Sequence, residues 1–513
     1  RFLNDADPAL STFLAAWSDE ELAPLVQNLG GHDLRTLVDC FRQCDEVTDR
    51  PSVVFAYTVK GWGLPMAGDP LNHAALLSPE QVADFRASLG LTDADEWDRF
   101  DPESAEGRLC ASIGGELNHV APAPRPVLPV PESVGGAIGP KPVSTQETFG
   151  RLLVRLGEVP ELLDRMVTTS PDVSVSTNLG GWINKVGVFN PDEPQDFLGE
   201  GRLLRWKQTS AGHHIELGIS EMNLFLMLHA LGLGHELHGR HLVPIGTVYD
   251  PFVCRGLDAL IYALYNDARF IMIGTPAGVT LAPEGGAHQS AITPSIGLEL
   301  PGLDYAEPAF ARALDWLLCD GIDRLSSANG SSLYLRLSTR PIDQEAFLAA
   351  EDRLGSTTLR EHVLRGGYRL REPADGRASV ILATCGPVVP EVLEAARQLD
   401  DEGVSSVVLD LTSSDRLYRE WRAQLRDASR SATRPNDATH LASLLRPDER
   451  RVPIVTVHDA ASHHLAWLGG VFGARVVPVG VDSFGQSGSI PDLYGLFDLR
   501  PEQIVNAALT IVD

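Results

Sequence analysis

A glutamate, Glu221, precedes an almost uninterrupted apolar stretch in GISEMNLFLMLHALGLG (218–234). In the first turn of a helix, a carboxylate can simply stabilise the positive end of the helix dipole, a contribution of about 0.5–1 kcal/mol. Inside a hydrophobic site, a carboxylate can instead share a proton with a ring nitrogen of a ligand, because burial raises the pKa of an acid. At this point the sequence leaves both interpretations open.

A second candidate group lies in TPAGVTLAPEGGAHQSAI (275–292), directly after the apolar run FIMIG (270–274). This loop presents Glu284, two glycines and His288 at the carboxyl end of a predicted strand. Ligands of open α/β sheets bind at that edge, and glycines let the backbone approach them closely. A lone loop histidine is usually only solvated, but this position favours a catalytic role for His288.

The elements that must position these groups alternate between apolar strands and helical segments. Helices are predicted over 254–266 and 308–319. Strands are predicted at FIMIG (270–274), SLYLRLS (332–338), SVILATCG (379–386), SSVVLDL (405–411), PIVTVHD (453–459) and RVVPVGV (475–481). The segment SVVFAYTVKGWG (52–63) is predicted to be a strand that ends in a glycine-rich turn. The alternation predicts an α/β protein of three doubly wound units with mostly parallel sheets.

A proline-rich stretch, APAPRPVLPVPESVGGAIGPKP (121–142), marks the clearest boundary. Such a composition predicts a semi-rigid extended linker. It ends where Ser144 and Glu147 have the spacing of a capping box at the start of a helix. We therefore expect a first domain at 1–120, a linker at 121–143, a second domain at 144–346 and a third at 347–513.

Composition narrows the classes of function. A formal charge of −27 repels phosphate backbones and anionic membranes, so we expect no nucleic-acid or membrane partner. Six cysteines without a CxxC pair indicate free thiols and a cytoplasmic location. The chain starts at Arg1 rather than at methionine, which suggests a processed, split or truncated product.

GISEMN, GTVYDPF and PEGGAHQS, in that order, resemble the pyrimidine-binding domain of thiamine diphosphate enzymes of the transketolase and 2-oxo acid dehydrogenase superfamily. SVVFAYTVKGWGLPMAGDPLNHAALLS is similar to the end of the diphosphate-binding domain in the homodimeric type of pyruvate dehydrogenase E1 component, and GVDSFGQSGSIPDLYGLFDLRPEQIV to its C-terminal segment. The resemblance implies that 1–120 is the last part of a diphosphate-binding domain, which makes the first unit incomplete. It also implies a pyrimidine-binding domain at 144–346 and a transketolase-like C-terminal domain at 347–513.

The resemblance implies catalytic roles for Glu221, His288 and His73. Glu221 would bond the N1′ nitrogen of the aminopyrimidine and favour the tautomer that removes the proton from the thiazolium carbon. His288 and His73 would act on the thiazolium side as acid and base groups, or as donors to a substrate oxygen.

Binding roles are implied for five more residues. Phe252 or Tyr249 would stack on the aminopyrimidine. Asp172 would lie near the cofactor, or would only cap a turn. Arg336 and Arg340 would hold the anionic end of a substrate, or would form surface ion pairs.

The family's magnesium motif, Gly-Asp-Gly followed by Asn about thirty residues later, does not occur in this sequence. We expect Mg²⁺ ligands from an N-terminal segment or a second subunit, in a homodimer or heterotetramer, unless the cofactor has been lost. GQSGSI (485–490) also departs from the relatives, which carry an arginine and an aspartate there.

The resemblance therefore implies decarboxylation of a 2-oxo acid with transfer of the acyl or aldehyde unit, as in an E1 component with a lipoyl acyl-carrier partner. Two alternatives stay open. One is transketolase-type transfer of two-carbon units between sugar phosphates, and the other is a non-catalytic subunit.

Overall fold

The computed structural model describes residues 7–27, 29–117, 124–135, 141–192, 206–435 and 438–512. It divides into two compact units, residues 1–120 and 121–513. Among the described residues, no helix is long and apolar enough to cross a membrane.

Helices and irregular segments make up the described part of the first unit. The helices are α1 (Pro8–Leu14), α2 (Asp19–Gln27), α3 (Leu34–Glu46), α4 (Pro79–Ser88) and α5 (Ala105–Leu117). The predicted strand at 52–63 is wrong, because residues 51–59 are irregular and pair with no strand. Tyr57 O instead accepts from Gly31 N at 2.9 Å, and Val59 N donates to His32 Nε2 at 2.7 Å. A strand needs a neighbouring strand for its backbone groups, and the described residues supply none for this segment.

An eight-stranded parallel sheet organises the first part of the second unit. Its strands are β1 (Met166–Ser170), β2 (Val188–Phe189), β3 (Gln208–Thr209), β4 (His214–Glu216), β5 (Val243–Val248), β6 (Ile271–Gly274), β7 (Leu303–Ala306) and β8 (Ser332–Arg336), in the order β3-β2-β4-β1-β5-β6-β8-β7. Every residue of β5, β6, β7 and β8 is buried. Burial along the whole strand is typical of a parallel sheet that is covered on both faces.

The helices of this part are α6 (Thr145–Leu156), α7 (Pro160–Leu163), α8 (Gly180–Val186), α9 (Glu221–Gly232), α10 (Gly234–His238), α11 (Leu257–Tyr265), α12 (Thr293–Glu299) and α13 (Ala311–Ser326). The capping box of α6 is half formed. Ser144 Oγ accepts from Glu147 N at 3.1 Å, whereas the Glu147 side chain pairs with Arg151.

A five-stranded sheet organises the rest of the second unit. Its strands are β9 (Tyr368–Arg371), β10 (Val380–Thr384), β11 (Ser406–Asp410), β12 (Ile454–Val457) and β13 (Val476–Val479), in the order β13-β12-β10-β11-β9, and only β9 is antiparallel to its neighbour. Its helices are α14 (Glu345–Leu354), α15 (Ser356–Arg365), α16 (Val389–Asp401), α17 (Ser414–Ser431), α18 (His440–Leu444), α19 (Leu468–Phe472), α20 (Ile490–Leu496) and α21 (Pro501–Leu509). The two sheets confirm the predicted α/β class.

Part of the predicted linker is attached to the second unit. Ser133 Oγ and Val134 N both donate to the Asp315 carboxylate on α13, at 2.5 and 3.0 Å. Residues 121–123 and 136–140 of the linker lie outside the described residues. The boundary at 346 stays a prediction.

Candidate active site

Glu221 begins α9, and the surroundings of this helix explain its apolar sequence. One face of α9 places Leu224, Phe225 and Leu228 in a buried cluster against β5 and α11. Another face leaves Met222 and Leu226 40% and 50% exposed. Glu221 itself is 9% exposed, so the carboxylate stands at a buried helix end beside an apolar surface.

The carboxylate of Glu221 binds an arginine. Arg255 Nη1 donates to Glu221 Oε1 at 2.9 Å, and the guanidinium carbon of Arg255 lies 3.7 Å from the centroid of the Phe252 ring. Arg255 and Phe252 belong to a 3-10 turn, Asp250–Gly256, that follows β5. Residue 256 has to be a glycine, because a Cβ there would come within 2.1 Å of Phe225 Cδ2 and 2.9 Å of Glu221 O. The turn therefore packs directly on the first turn of α9.

Two aromatic rings and an imidazole complete the group. The Tyr249 and Phe252 rings stack with centroids 6.0 Å apart, and His288 meets them edge-on at 6.1 and 5.3 Å. The Nδ1 atom of His288 is buried and has no hydrogen-bond partner among the described residues, and the same holds for Ser220 Oγ, next to Glu221. Buried polar atoms are normally paired, so both atoms are candidates for contact with a ligand.

The loop that carries His288 is held by a C-terminal loop. Gln289 Nε2 donates to Gln486 O at 2.7 Å, and Gln486 N donates to Gln289 Oε1 at 3.2 Å. The two backbones also approach closely at Gly286, where a Cβ would lie 2.0 Å from Gly485 O. The segment GQSGSI (485–490), whose sequence differs from that of the relatives, thus positions the loop that carries His288.

A buried polar network lies behind Tyr249, and sequence reasoning missed its key member, Asp250. Asp250 Oδ2 accepts from Arg336 Nε at 3.0 Å and from Thr293 Oγ1 at 2.6 Å, and Asp250 also binds Ser290 and Tyr334. Asp250 directly follows Tyr249 in the GTVYDPF segment, so adjacency to a predicted site residue was the one signal in the sequence.

The network continues to the second sheet through Glu307. Arg336 Nη1 donates to Glu307 Oε1 at 2.5 Å, and His458 Nε2 lies 2.8 Å from Glu307 Oε2. Burial disfavours the charge of Glu307, but Arg336 and His458 outweigh it and hold the pKa of this carboxyl well below its usual range. Arg336 thereby ties the two sheets together.

The two predicted substrate arginines do not join the group around Glu221. Arg336 is fully buried and its nitrogens donate to protein atoms, so its ion pairs are interior rather than on the surface. Arg340 forms a bidentate pair with Glu391 at 2.6 and 2.7 Å. Both arginines therefore form ion pairs within the protein, the pairs of Arg336 being buried rather than on the surface as the alternative predicted, and their binding of substrate stays a prediction.

For Asp172 and His73 the structure gives contacts within their own units. Asp172 is exposed after β1, has a left-handed backbone (φ 64°), and donates its backbone N–H to Glu216 Oε1 at 2.8 Å. His73 belongs to the first unit, where its Nδ1 lies 2.6 Å from Lys60 Nζ. The structure thus brings together four of the predicted residues: Glu221, Tyr249, Phe252 and His288.

The group fits the aminopyrimidine half of thiamine diphosphate. Glu221 supplies a nearly buried acceptor and Phe252 supplies a ring face, and His288 Nδ1 is a buried polar atom that no described residue pairs with. The described residues do not fit Mg²⁺. The one group of metal-type ligands among them is Glu307, Cys385 and His458, and Mg²⁺ requires oxygen ligands.

Comparison with known proteins identifies two segments of the chain. Residues 130–340 match the model of the pyruvate dehydrogenase E1 component middle domain, and residues 366–500 match that of the transketolase-like C-terminal domain. The pyruvate dehydrogenase E1 components of Cupriavidus necator and Escherichia coli are 25% and 24% identical to the chain, over 98% of its length and 58% of theirs. The chain thus spans less than two thirds of these relatives.

The fold resembles that of transketolases. The transketolase of Leishmania mexicana superposes with a TM-score of 0.66 at 18% identity, over 94% of this chain and 65% of that one.

Proposed function

We propose that the chain belongs to the superfamily of thiamine diphosphate-dependent transketolases and 2-oxo acid dehydrogenases, because two family models match it at 130–340 and 366–500. In this proposal it is part of an enzyme that decarboxylates a 2-oxo acid and transfers the acyl or aldehyde unit, as an E1 component does. The observation that carries the proposal is the nearly buried Glu221 carboxylate, which Arg255 links to Phe252 of the stacked aromatic pair that His288 meets edge-on. The proposal is also supported by relatives that are named pyruvate dehydrogenase E1 component and that align with 98% of the chain.

Thiamine diphosphate, when bound, supplies a nucleophilic carbon and an electron sink for decarboxylation. In the proposal, Phe252 provides the face on which the aminopyrimidine stacks, with Tyr249 behind it. Glu221 holds a proton at the ring nitrogen N1′, which a carboxylate at a buried helix end can do because little water competes for it. His288 directs its free Nδ1 to hold or move a proton at a substrate oxygen.

The proposed enzyme needs residues beyond those described. We expect the Mg²⁺ ligands on a second polypeptide or another segment, in a homodimer or heterotetramer, with His73 contributing from the diphosphate-binding side. Exposed apolar side chains around the site are consistent with a covered surface in the assembly: Ile219, Met222, Leu226, Ile261, Tyr262 and Tyr265. A lipoyl acyl-carrier protein as acceptor, substrate binding by Arg340 and Arg336, a place for Asp172 near the cofactor and a cytoplasmic location remain part of the proposal.

Transketolase-type transfer is the second candidate, favoured by the fold comparison and by a plasmid-encoded transketolase of Cupriavidus necator that is 24% identical over 95% of the chain. The two activities separate in one assay on the assembled protein. Turnover of pyruvate with an electron acceptor supports the E1 proposal. Turnover of ketose and aldose phosphates alone would replace it with transketolase activity.

A non-catalytic subunit is the third candidate. Calorimetry with thiamine diphosphate and Mg²⁺ on the complete assembly tests it. We expect saturable binding at one site per Glu221, and an absence of binding would end the enzyme proposal.

A further inference from the structure

Arg255 already makes the two contacts that the proposed function gives to the aminopyrimidine. Its Nη1 donates to Glu221 Oε1 at 2.9 Å, and its guanidinium covers the Phe252 ring at 3.7 Å. A guanidinium is planar, delocalised and rich in N–H donors, so it can stack on an aromatic face while it donates to a carboxylate. One ring face and one carboxylate oxygen cannot serve Arg255 and a heterocycle at the same time.

The backbone of this region is fixed, whereas the Arg255 side chain is free to move. The tight contact of Gly256 with Phe225 and with Glu221 O keeps the 3-10 turn on α9. The Arg255 side chain is 54% exposed, while that of Glu221 is 11% exposed. Rotation of Arg255 into solvent therefore opens the Phe252 face and the Glu221 carboxylate without any backbone change.

We propose that Arg255 is an internal competitor of the aminopyrimidine, which closes the site in the cofactor-free chain and swings out when the cofactor binds. The inference rests on the proposed function, because it concerns access to the same Glu221 and Phe252. In the closed state Arg255 compensates a nearly buried carboxylate, which would otherwise lack a partner. The apparent cofactor affinity is lowered by the fraction of molecules that are closed.

Calorimetric titration with thiamine diphosphate and Mg²⁺, without substrate, tests this on the chain assembled with its natural partner. The variant is Arg255→Met, which keeps the length of the side chain and removes the guanidinium. Arg240→Met is the matched control, because Arg240 is 59% exposed and pairs with Asp164 at 3.2 Å elsewhere on the surface. We expect Arg255→Met to lower the dissociation constant by about five- to thirty-fold, the strength of an exposed ion pair plus a cation–π contact, and Arg240→Met to leave it unchanged.

Thermal unfolding supplies a readout that does not depend on activity. Arg255→Met should lower the midpoint of the cofactor-free protein, because Glu221 loses its partner, and saturating thiamine diphosphate should remove that difference. A purely structural Arg255 would leave the same deficit with and without cofactor.

The two hypotheses fail in distinguishable ways. If the wild-type protein binds the cofactor and Arg255→Met binds it equally or more weakly, the competitor role is overturned and the proposed function stands. If neither the wild type nor Arg255→Met binds thiamine diphosphate, both the competitor role and the proposed function are overturned.

Discussion

Arg336 Nε donates to Asp250 Oδ2 at 3.0 Å, and neither side chain has any exposed surface. Asp250 is the residue after Tyr249, so this pair anchors the turn that carries the aromatic half of the candidate site. The same guanidinium reaches Glu307 and the backbone of Asp459, which follows β12 of the second sheet. A buried network of ion pairs and hydrogen bonds, which connects the two sheets, therefore supports the candidate site.

Replacing Arg336 by methionine should destabilise the chain strongly. The change leaves Asp250 and Glu307 buried without their cation, a loss of about 3–5 kcal/mol for a broken buried pair. Denaturant unfolding measures the difference. Arg151→Met, which breaks a half-exposed pair with Glu147, is the control and should show no measurable change. An equally small effect of both substitutions would contradict a structural role for Arg336.

Replacing Glu221 by glutamine should abolish turnover at little expense of stability. Glutamine keeps the shape of the side chain but does not hold a proton in the same way at a ring nitrogen. The lost ion pair is worth only about 0–1 kcal/mol, since the Arg255 side chain is more than half exposed. Turnover and unfolding are measured on one preparation, with Glu147→Gln in the first turn of α6 as the control. Parallel losses of activity and stability would favour simple helix stabilisation by Glu221.

Replacing His288 by glutamine should lower kcat by about 10²- to 10⁴-fold, the usual contribution of a general acid or base. Folding should be unaffected, because Nδ1 forms no hydrogen bond with the part of the chain that the structure describes. Steady-state kinetics separates kcat from KM, and circular dichroism checks the fold. His238→Gln, at an exposed position on α10, serves as the control. Unchanged kcat in the His288 variant would remove this residue from the chemistry.

The stability of the chain should carry a pH signature from Asp410. Burial raises the pKa of Asp410 to about 7, and Tyr368, which donates to it at 2.8 Å, only partly offsets this. Between about pH 4, the value for an unfolded aspartate, and pH 7 the native state binds a proton that the unfolded state does not. The Asp410 contribution to stability is therefore fully present below pH 4 and falls as pH rises, by up to about 1.4 kcal/mol per pH unit.

Asp410→Asn removes this dependence because asparagine does not titrate. The free energy of unfolding of the variant, relative to that of the wild type, should be higher at pH 7.5 than at pH 5. Asp401→Asn, at an exposed position, should keep the wild-type profile. Identical pH profiles for Asp410→Asn and the wild type would show that Asp410 is ionised throughout.

Charge on the exposed face of α9 should prevent assembly. Leu226 is 50% exposed on this face, and a glutamate there would have to be buried against a partner. Sedimentation should show a smaller species for Leu226→Glu with an unchanged fold. Leu509→Glu, on the exposed side of α21, is the control. A wild-type sedimentation profile for Leu226→Glu would place the interface elsewhere.

The sequence predicted six of the described strands, β6 and β8 of the first sheet and β10 to β13 of the second, and all but β13 are buried along their whole length. The family resemblance implied that Tyr249, Phe252 and His288 serve the same cofactor, and the structure places their ring centroids 5.3–6.1 Å apart. The strand at 52–63 failed for a complementary reason. An extended, β-branched segment looks like a strand whether or not a neighbour pairs with it.

The sequence by itself determined the α/β class, the carboxylate at the start of α9 and the family resemblance, because each depends on residues close together in the chain. Only the tertiary structure decided what those residues contact. Arg255 reaches Glu221 across 34 positions, and His458 reaches Glu307 across 151. Ion pairs of this kind depend on how separate elements pack together, and the local sequence pattern does not specify which charged residues will be partners.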